Sequence, residues 1–411
     1  MLDPHYIQQI ADGAENIASQ LHEYIIRQIV DRMMIRIGRG DDYLLTSSDA
    51  WRIQVLQDSG YLLQDITAEL AKYTKRQEKE IKAAMEEAGV KALEYDDKIY
   101  QVAGLSPMPL TQSPALIRLM ERSYNATLGE WRNMTRTTAQ AAQRRFINEC
   151  DMAYNKVMSG AVAYNQAVRE AVEAAVSNGV YVDYPTGHRD TIEMATARAV
   201  RTGIAQAAGD ISIKRMEEMD WDIILVSAHI GARTGDGGQN PGNHLWWQGQ
   251  FYSRTGRDKR FPNFYERTGY GTGEGLCGWN CRHSFGSGDG VNNPYADIQT
   301  ADNIRMEKLE QRQRALERRV RKTKREVMGL QEAVEKCQDE AARFELQQTL
   351  DRKSYLLSKQ NRAYSEFCKE NDLRPLNERL QIAKFDRQRA AAARGAAKRF
   401  QNAKKKMATP P

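Results

Sequence analysis

The sequence predicts a mostly α-helical protein with a small α+β module: an N-terminal helical region, a Gly/Cys/His-rich α/β unit, and long basic C-terminal helices. Three observations point there. Apolar residues recur at spacings of three and four along most of the chain, the period of a helix with one buried face. That period is broken by a short β-branched run, Asp222–Ser227, which fits a buried strand. Rare residues then crowd together: between Ala228 and Phe285 lie three of six histidines, two of five cysteines, three of six tryptophans and 12 of 29 glycines.

Residues 5–37 read as helix because Ile7, Ile10, Ala14, Ile17, Leu21 and Tyr24 form one stripe. Gly38 to Asp42 supplies the turn that ends it, and the Arg39-Gly40-Asp41 triplet is turn chemistry rather than an adhesion motif. A second helix is predicted from Ser48 to Ala88, with Leu62, Ile66 and Leu70 on its buried face and the charged run Lys75–Lys82 facing solvent. Three prolines between Ser106 and Pro114 mark a linker, and Ser113-Pro114 makes an N-cap and first-turn pair. Alanine-rich helices are expected over 114–132 and 134–178. In the second, Val157, Ala161, Tyr164, Val168, Val172 and Val176 keep helical spacing. Asn178-Gly179 stops it, and Tyr184-Pro185-Thr186-Gly187 is a turn.

Asp190 with Glu193 resembles a capping box opening a helix to about Met219. The strand at Asp222–Ser227 follows, and Tyr252 lies near a second short strand. After Asn292-Asn293-Pro294 helix returns. Leu309, Leu316, Val320 and Val327, then Leu330, Val334, Cys337, Ala341 and Phe344, form a near-heptad seam whose other faces are dense in Arg, Lys and Glu. This predicts a long solvated helix or helical hairpin, with a partner-binding coiled coil as a further option. Pro375 interrupts it, and the acid-poor tail from Lys384, with Lys404–Lys406, is expected to fray. Four regions result: 1–105 N-terminal helices, 106–189 Ala-rich helices, 190–295 the α/β module, and 296–411 basic helices with a frayed tail.

A chain of 411 residues suggests two to three domains. No run approaches the roughly 18 consecutive apolar residues of a membrane span, so no membrane partner is expected. Met1–Ile10 lacks the basic-then-apolar pattern of a secretion signal. Five cysteines, an odd number, favour free thiols or a metal site over a disulfide framework. The net charge of +6 is uneven: residues 301–411 carry 28 basic against 16 acidic side chains, leaving the first 300 residues mildly acidic. A basic tail on an acidic body suits an acidic protein surface or nucleic acid. A solvated helical face accounts for it equally well.

Within the rare-residue window, His244, Cys277, Cys281 and His283 are candidate ligands for zinc, which favours thiolate and imidazole and needs four ligands in a structural site. The Cys-x3-Cys-x-His spacing is not that of a standard finger. The plainer reading is a hydrogen-bonded knot in which histidines and Arg282 brace a glycine-rich loop, with no cofactor. A thiol nucleophile, Cys281 activated by His244 or His283, needs a base in reach and a third orienting group. Gly269, Gly271, Gly273 and Gly275 alternate, but no Lys-Ser pair and no helix follow, so a phosphate loop is weakly supported and a crossing loop is the simpler account. Trp246, Trp247, Phe251 and Tyr252, interleaved with Arg254, Arg257, Lys259 and Arg260, could stack on single-stranded nucleic acid. One tryptophan is expected in the core and the other exposed.

With these residues identified, the chain resembles the phage minor capsid protein 2 class of tailed phages, itself similar to MuF-type head-morphogenesis proteins. The likeness rests on Ser227-Ala228-His229, Gly231-Ala232-Arg233, His244 with Trp247-Gln248-Gly249, and the closing run Gly275-Leu276-Cys277-Gly278-Trp279-Asn280-Cys281-Arg282-His283. The Trp51-Arg52 step and the basic run Gln313–Arg321 resemble that family's start and its C-terminal helix. The family passes from its Arg233-type to its His244-type residue in a few positions, whereas Thr234–Asn243 inserts a Gly- and Asn-rich loop here.

The resemblance implies a low-copy structural component of the virion head, assembled in the bacterial host cytoplasm and associated with portal or capsid/shell proteins. No enzymatic turnover is implied. Packaged DNA is a further expected partner, reached through the basic C-terminal region, where phosphate contacts are sequence-independent and fall with salt. The competing readings are a virion-carried Cys/His hydrolase or nuclease and a zinc-stabilised nucleic-acid-binding protein.

Overall fold

The structure, a computed structural model, describes residues 1–40, 44, 47–178, 181–184, 186–298 and 300–408. Asp41 and Asp42 of the expected Gly38–Asp42 turn, Gly179 of the Asn178-Gly179 stop and Pro185 of the Tyr184–Gly187 turn lie outside the described residues. In chain order the elements are α1 (Pro4–Gln9), α2 (Asp12–Ile37), α3 (Ser48–Val102), α4 (Pro114–Met158), α5 (Tyr164–Asn178), β1 (Tyr181–Asp183), β2 (Arg189–Thr191) and α6 (Ile192–Glu218). They continue with β3 (Ile223–Val226), α7 (His244–Trp247), β4 (Phe251–Ser253), α8 (Phe264–Thr268), β5 (Phe285–Ser287), α9 (Thr300–Lys336), α10 (Glu340–Glu370) and α11 (Arg387–Ala408). The protein is mostly helical with a small α+β module, as the sequence predicts, and the described residues form two small antiparallel sheets. No helix among the described residues is long and apolar enough to cross a membrane.

Several boundaries move, each for a local reason. α3 runs on through Gly89 to Val102, because Gly89 meets α6 at Ile211 rather than a turn. α4 passes through Asn133 without a break, so the expected pair 114–132 and 134–178 divides instead at Ser159–Ala163. There Gly160 takes φ +68, and the Ala161 amide bonds the Lys156 carbonyl at 3.0 Å, a Schellman closure that glycine alone accepts without strain. Ser113 caps α4 by accepting from the Leu116 amide. The capping box expected at Asp190 and Glu193 does not form. Asp190 sits in β2, and the Glu193 carboxylate turns to His22 and Arg325. The tail from Lys384 does not fray throughout: α11 is Ala-rich, a strong helix former, and it buries Ala393, Ala396 and Ala397.

The chain gathers into two compact units, each assembled from three stretches: residues 1–15, 74–133 and 194–311, and residues 16–73, 134–193 and 312–411. In the second unit α2 is buried on most of its circumference, with Leu21, Ile25, Ile26, Ile29, Val30 and Met33 beside the buried polar groups His22, Glu23 and Arg36, so it lies in the core rather than along one stripe. Trp51 stacks on Tyr154 with ring centroids 4.7 Å apart and donates to Asp151 at 3.0 Å. α9 departs furthest from expectation. Its stretch Thr323–Leu330 is buried without interruption, including Lys324, Arg325 and Glu326. The seam residues Leu316, Val320, Val327, Leu330 and Cys337 are buried as predicted, but Ala341 and Phe344 are exposed. The break at Cys337–Asp339, capped by Asp339 on the Ala342 amide, resets the phase of α10.

Candidate functional site

In the first unit the site is built on β3. Ile224, Leu225 and Val226 are buried, and β3 lies between β4 and β5 in an antiparallel sheet, Ile224 facing Tyr252 on one side and Ser287 on the other. Trp247, Tyr252, Phe264, Leu276 and Phe285 close a core over this sheet with Met216 of α6. Fully burying residues such as Phe264 and Phe285 contributes on the order of 2 kcal/mol each. Pairing continues past the strand ends: the Ser227 amide donates to Ser284 O and the Ser284 amide to Ser227 Oγ, both at 2.9 Å. The segment after β3 and the segment before β5 are thereby held side by side, which brings His229 onto His283.

Three imidazoles and a thiol meet there. The His283 ring stacks on His229 with centroids 4.5 Å apart, stands edge-on to His244 at 5.3 Å and to Trp247 at 4.9 Å. Gln248 Oε1 accepts from the His229 amide at 3.1 Å, which fixes that atom as the oxygen, so His283 Nε2 donates to it at 2.8 Å. His283 Nδ1 is left facing Cys281 Sγ at 3.6 Å. On the other flank, an Arg233 NH2 group lies 2.6 Å from His244 Nε2 and 2.9 Å from Glu274 O. His244 Nε2 itself lies 2.9 Å from Glu274 O, so the guanidinium and the imidazole nitrogen converge on that carbonyl. The expected knot residues His229, Arg233, His244, Trp247, Gln248, Cys281 and His283 are thus brought together. Trp247 donates to Pro241 O at 2.9 Å and takes the core position; Trp246 is half-buried under Arg267.

Burial sets the charge state of the cluster. Desolvation, reinforced by the neighbouring Arg233 cation, lowers His244 to about 3. Desolvation, then the surrounding histidines and arginines, lowers His283 well below its usual range. Burial pushes the Cys281 thiol up to about 11, against the opposing pull of backbone hydrogen bonds. His244 and His283 are therefore neutral at pH 7, and the Cys281 thiol is protonated. A nucleophilic cysteine needs the reverse shift.

His244, Cys281 and His283 each place one donor atom within 4.8 Å of the others. Cys277, the fourth candidate, is outside that set; its Sγ lies 3.7 Å from His283 O, the carbonyl that Cys281 Sγ approaches at 3.8 Å. Arg233 occupies a His244 ring nitrogen and puts a positive charge beside any cation that entered, so the donor set favours hydrogen bonding over metal.

The surrounding loops are tied down by further contacts. The Thr234–Asn243 insertion closes on itself, its ends joined by the His244 amide on Arg233 O at 2.7 Å, so Arg233 and His244 meet despite the added length. The glycine run is a compact double turn rather than a crossing loop: a Cβ on Gly275 would lie 2.2 Å from Gly269 O, and one on Gly278 2.4 Å from Gly273 O. Asn280, at φ +55, and Gly249, at φ +64, are turn positions. Arg282 bonds Glu310 at 2.9 Å, Gly231 O and Gln8. Buried Asn303 of α9 was not anticipated. Its Oδ1 accepts from the Gly231 and Ala232 amides and its Nδ2 donates to Ala232 O, all within 2.9 Å. A lone asparagine at the start of a charged helix carries no hint of this in sequence.

The nucleic-acid reading of the aromatic segment finds no platform, because Trp247 and Tyr252 are fully buried, while Arg257 and Arg260 pair with Asp220 and Asp258. Comparison with known proteins agrees with the motif. A family model described as phage minor capsid protein 2 matches residues 2–357. No curated protein and no solved structure matches the chain.

Proposed function

The chain belongs to the phage minor capsid protein 2 family, and from that premise we propose that it docks on portal or inner-shell subunits during head assembly in the bacterial cytoplasm. Family membership makes it a structural head protein of the virion. The observation that carries a structural rather than a catalytic reading of the cluster is Cys281, which is 2% exposed, protonated, and enclosed by side chains already engaged with one another. The Cys/His cluster acts as a neutral brace that holds the β3 and β5 ends together, and it needs no zinc to do so. Docking draws on apolar residues left uncovered on α3, where Ile53, Leu56 and Tyr61 are each more than half exposed. The basic C-terminal region lies against packaged DNA.

Cross-linking mass spectrometry on purified heads tests the docking. Links from the neighbourhood of residues 53–61 to portal or shell subunits are expected. Links confined to other parts of this chain's surface would remove the assigned docking face, and absence of the chain from heads would remove the whole reading.

A further inference from the structure

The C-terminal 111 residues carry the chain's net positive excess, 28 basic against 16 acidic side chains, yet the structure does not leave that charge equally available. In α9, Lys324 is buried and donates to Leu380 O at 2.7 Å, Arg325 is buried against Glu193, and seven carboxylates are interspersed among eleven basic residues. α11 differs. It holds eight basic residues and no acidic one. Two are engaged in ion pairs, Arg389 with Glu332 at 3.0 Å and the exposed Arg399 with Asp351 at 2.7 Å. Arg387, Arg394, Lys398, Lys404 and Lys406 are exposed and make no ion pair among the described residues.

At about 100° per residue, Arg387, Arg394, Lys398 and Lys405 share one azimuth to within roughly 40°. That azimuth lies well away from the packed face of Ala393, Ala396 and Ala397. The stripe is about 27 Å long, the rise of roughly eight base pairs. Its exposed neighbours are Gln388, Ala391, Ala392, Gly395, Gln401, Asn402 and Ala403, with no aromatic or large aliphatic group. Protein interfaces centre on such apolar anchors, whereas phosphate binding needs only cations at intervals along a rod.

Resting on the proposed contact with packaged DNA, we infer that α11 is the contacting element, its stripe of Arg387, Arg394 and Lys398, continued by Lys404–Lys406, binding the duplex phosphate backbone without reading sequence.

The test uses the full chain and two duplexes of unrelated sequence, with affinity measured against salt concentration. Arg387→Gln/Arg394→Gln/Lys398→Gln removes three contacts, and the log–log salt slope is expected to shrink by about 2.7 on both duplexes. The matched change on exposed α9 positions, Arg312→Gln/Arg318→Gln/Arg319→Gln, is expected to leave the slope unaltered. Melting curves confirm that both variants fold. An unchanged slope in the α11 variant, or an equal loss in the α9 variant, overturns the assignment while leaving DNA contact standing. If the unaltered chain shows no salt-dependent binding, the broader DNA contact falls as well.

Discussion

The Cys/His cluster at the ends of β3 and β5, in the unit built from 1–15, 74–133 and 194–311, is uncharged, whereas the polar interior around α2 and α9, in the unit built from 16–73, 134–193 and 312–411, is charged. Around β3, His244, His283, Cys277 and Cys281 are buried in uncharged form, with His244 on Glu274 O, His283 on Gln248 Oε1 and both thiols on His283 O. Around α2 and α9, Glu193 is 2% exposed between His22 at 2.8 Å and Arg325 at 2.7 Å, and Glu332 is 3% exposed among Arg27, Lys336 and Arg389. The Arg325 cation and His22 hold the Glu193 carboxyl well below its ordinary range, overcoming its desolvation. The lesson is about failure modes. A neutral brace loses one bond when a partner is removed; a charged core is left with an uncompensated ion.

The largest effect expected from that difference is at Glu193. Glu193→Ala strands Arg325 in the interior and should cost about 3–5 kcal/mol in chemical denaturation. The paired change Glu193→Leu with Arg325→Met should recover most of it. A cost below about 1 kcal/mol for the single variant would mean that the buried pair is not a closed electrostatic unit.

Next comes Asn303, the counterpart beside the uncharged cluster. Asn303→Ala removes the partner of two amides and a carbonyl of Gly231-Ala232; with water entering the vacated space, the loss is about 1–3 kcal/mol in all. The expected loss is smaller than at Glu193, and the reverse ranking would contradict the comparison.

Acidification separates the two interiors in another way. A histidine whose folded pKa is depressed contributes stability that is complete above the unfolded value near 6.5 and lost as pH falls toward the folded value, about 3 for His244. The slope is about 1.4 kcal/mol per pH unit for each such histidine. Glu193, also depressed, gives up its contribution only below about 4.5, and Glu23, raised by burial, opposes it. Near-UV signals from Trp247 should therefore weaken between pH 6 and 4.5, before those from Trp51. Simultaneous loss of both signals would show that the two interiors are not distinct.

The neutral region was far more legible in sequence than the charged one. Asp222–Ser227 announced β3 by its β-branched run, and Asn280-Cys281-Arg282-His283 stood out because rare side chains are informative wherever they cluster. The charges of α9 announced the wrong thing. A helix dense in Arg and Glu reads as solvated when its partners are unknown, and Glu193, Arg27 and Glu23 lie more than a hundred residues away in the chain. The Thr234–Asn243 insertion and the α4 boundary were hard to read for a related reason: closing a loop or continuing through Asn133 depends on contacts that spacing does not encode.

The smallest effect is also the most discriminating for the cluster itself. Cys281→Ser replaces a weakly polar buried thiol with a hydroxyl that must find its bonds at His283 Nδ1 and O, through a shorter reach. The expected cost is about 1 kcal/mol, a hydroxyl's desolvation partly offset by a stronger hydrogen bond. For a brace, head incorporation should decline in step with stability, and elemental analysis of the unaltered chain should find zinc well below one equivalent. If stability is unchanged while incorporation or some activity of the head is lost, the thiol is doing chemistry and the brace reading fails. If stoichiometric zinc disappears in the variant, His244, Cys281 and His283 are ligands, and Arg233 must leave His244 when the metal binds.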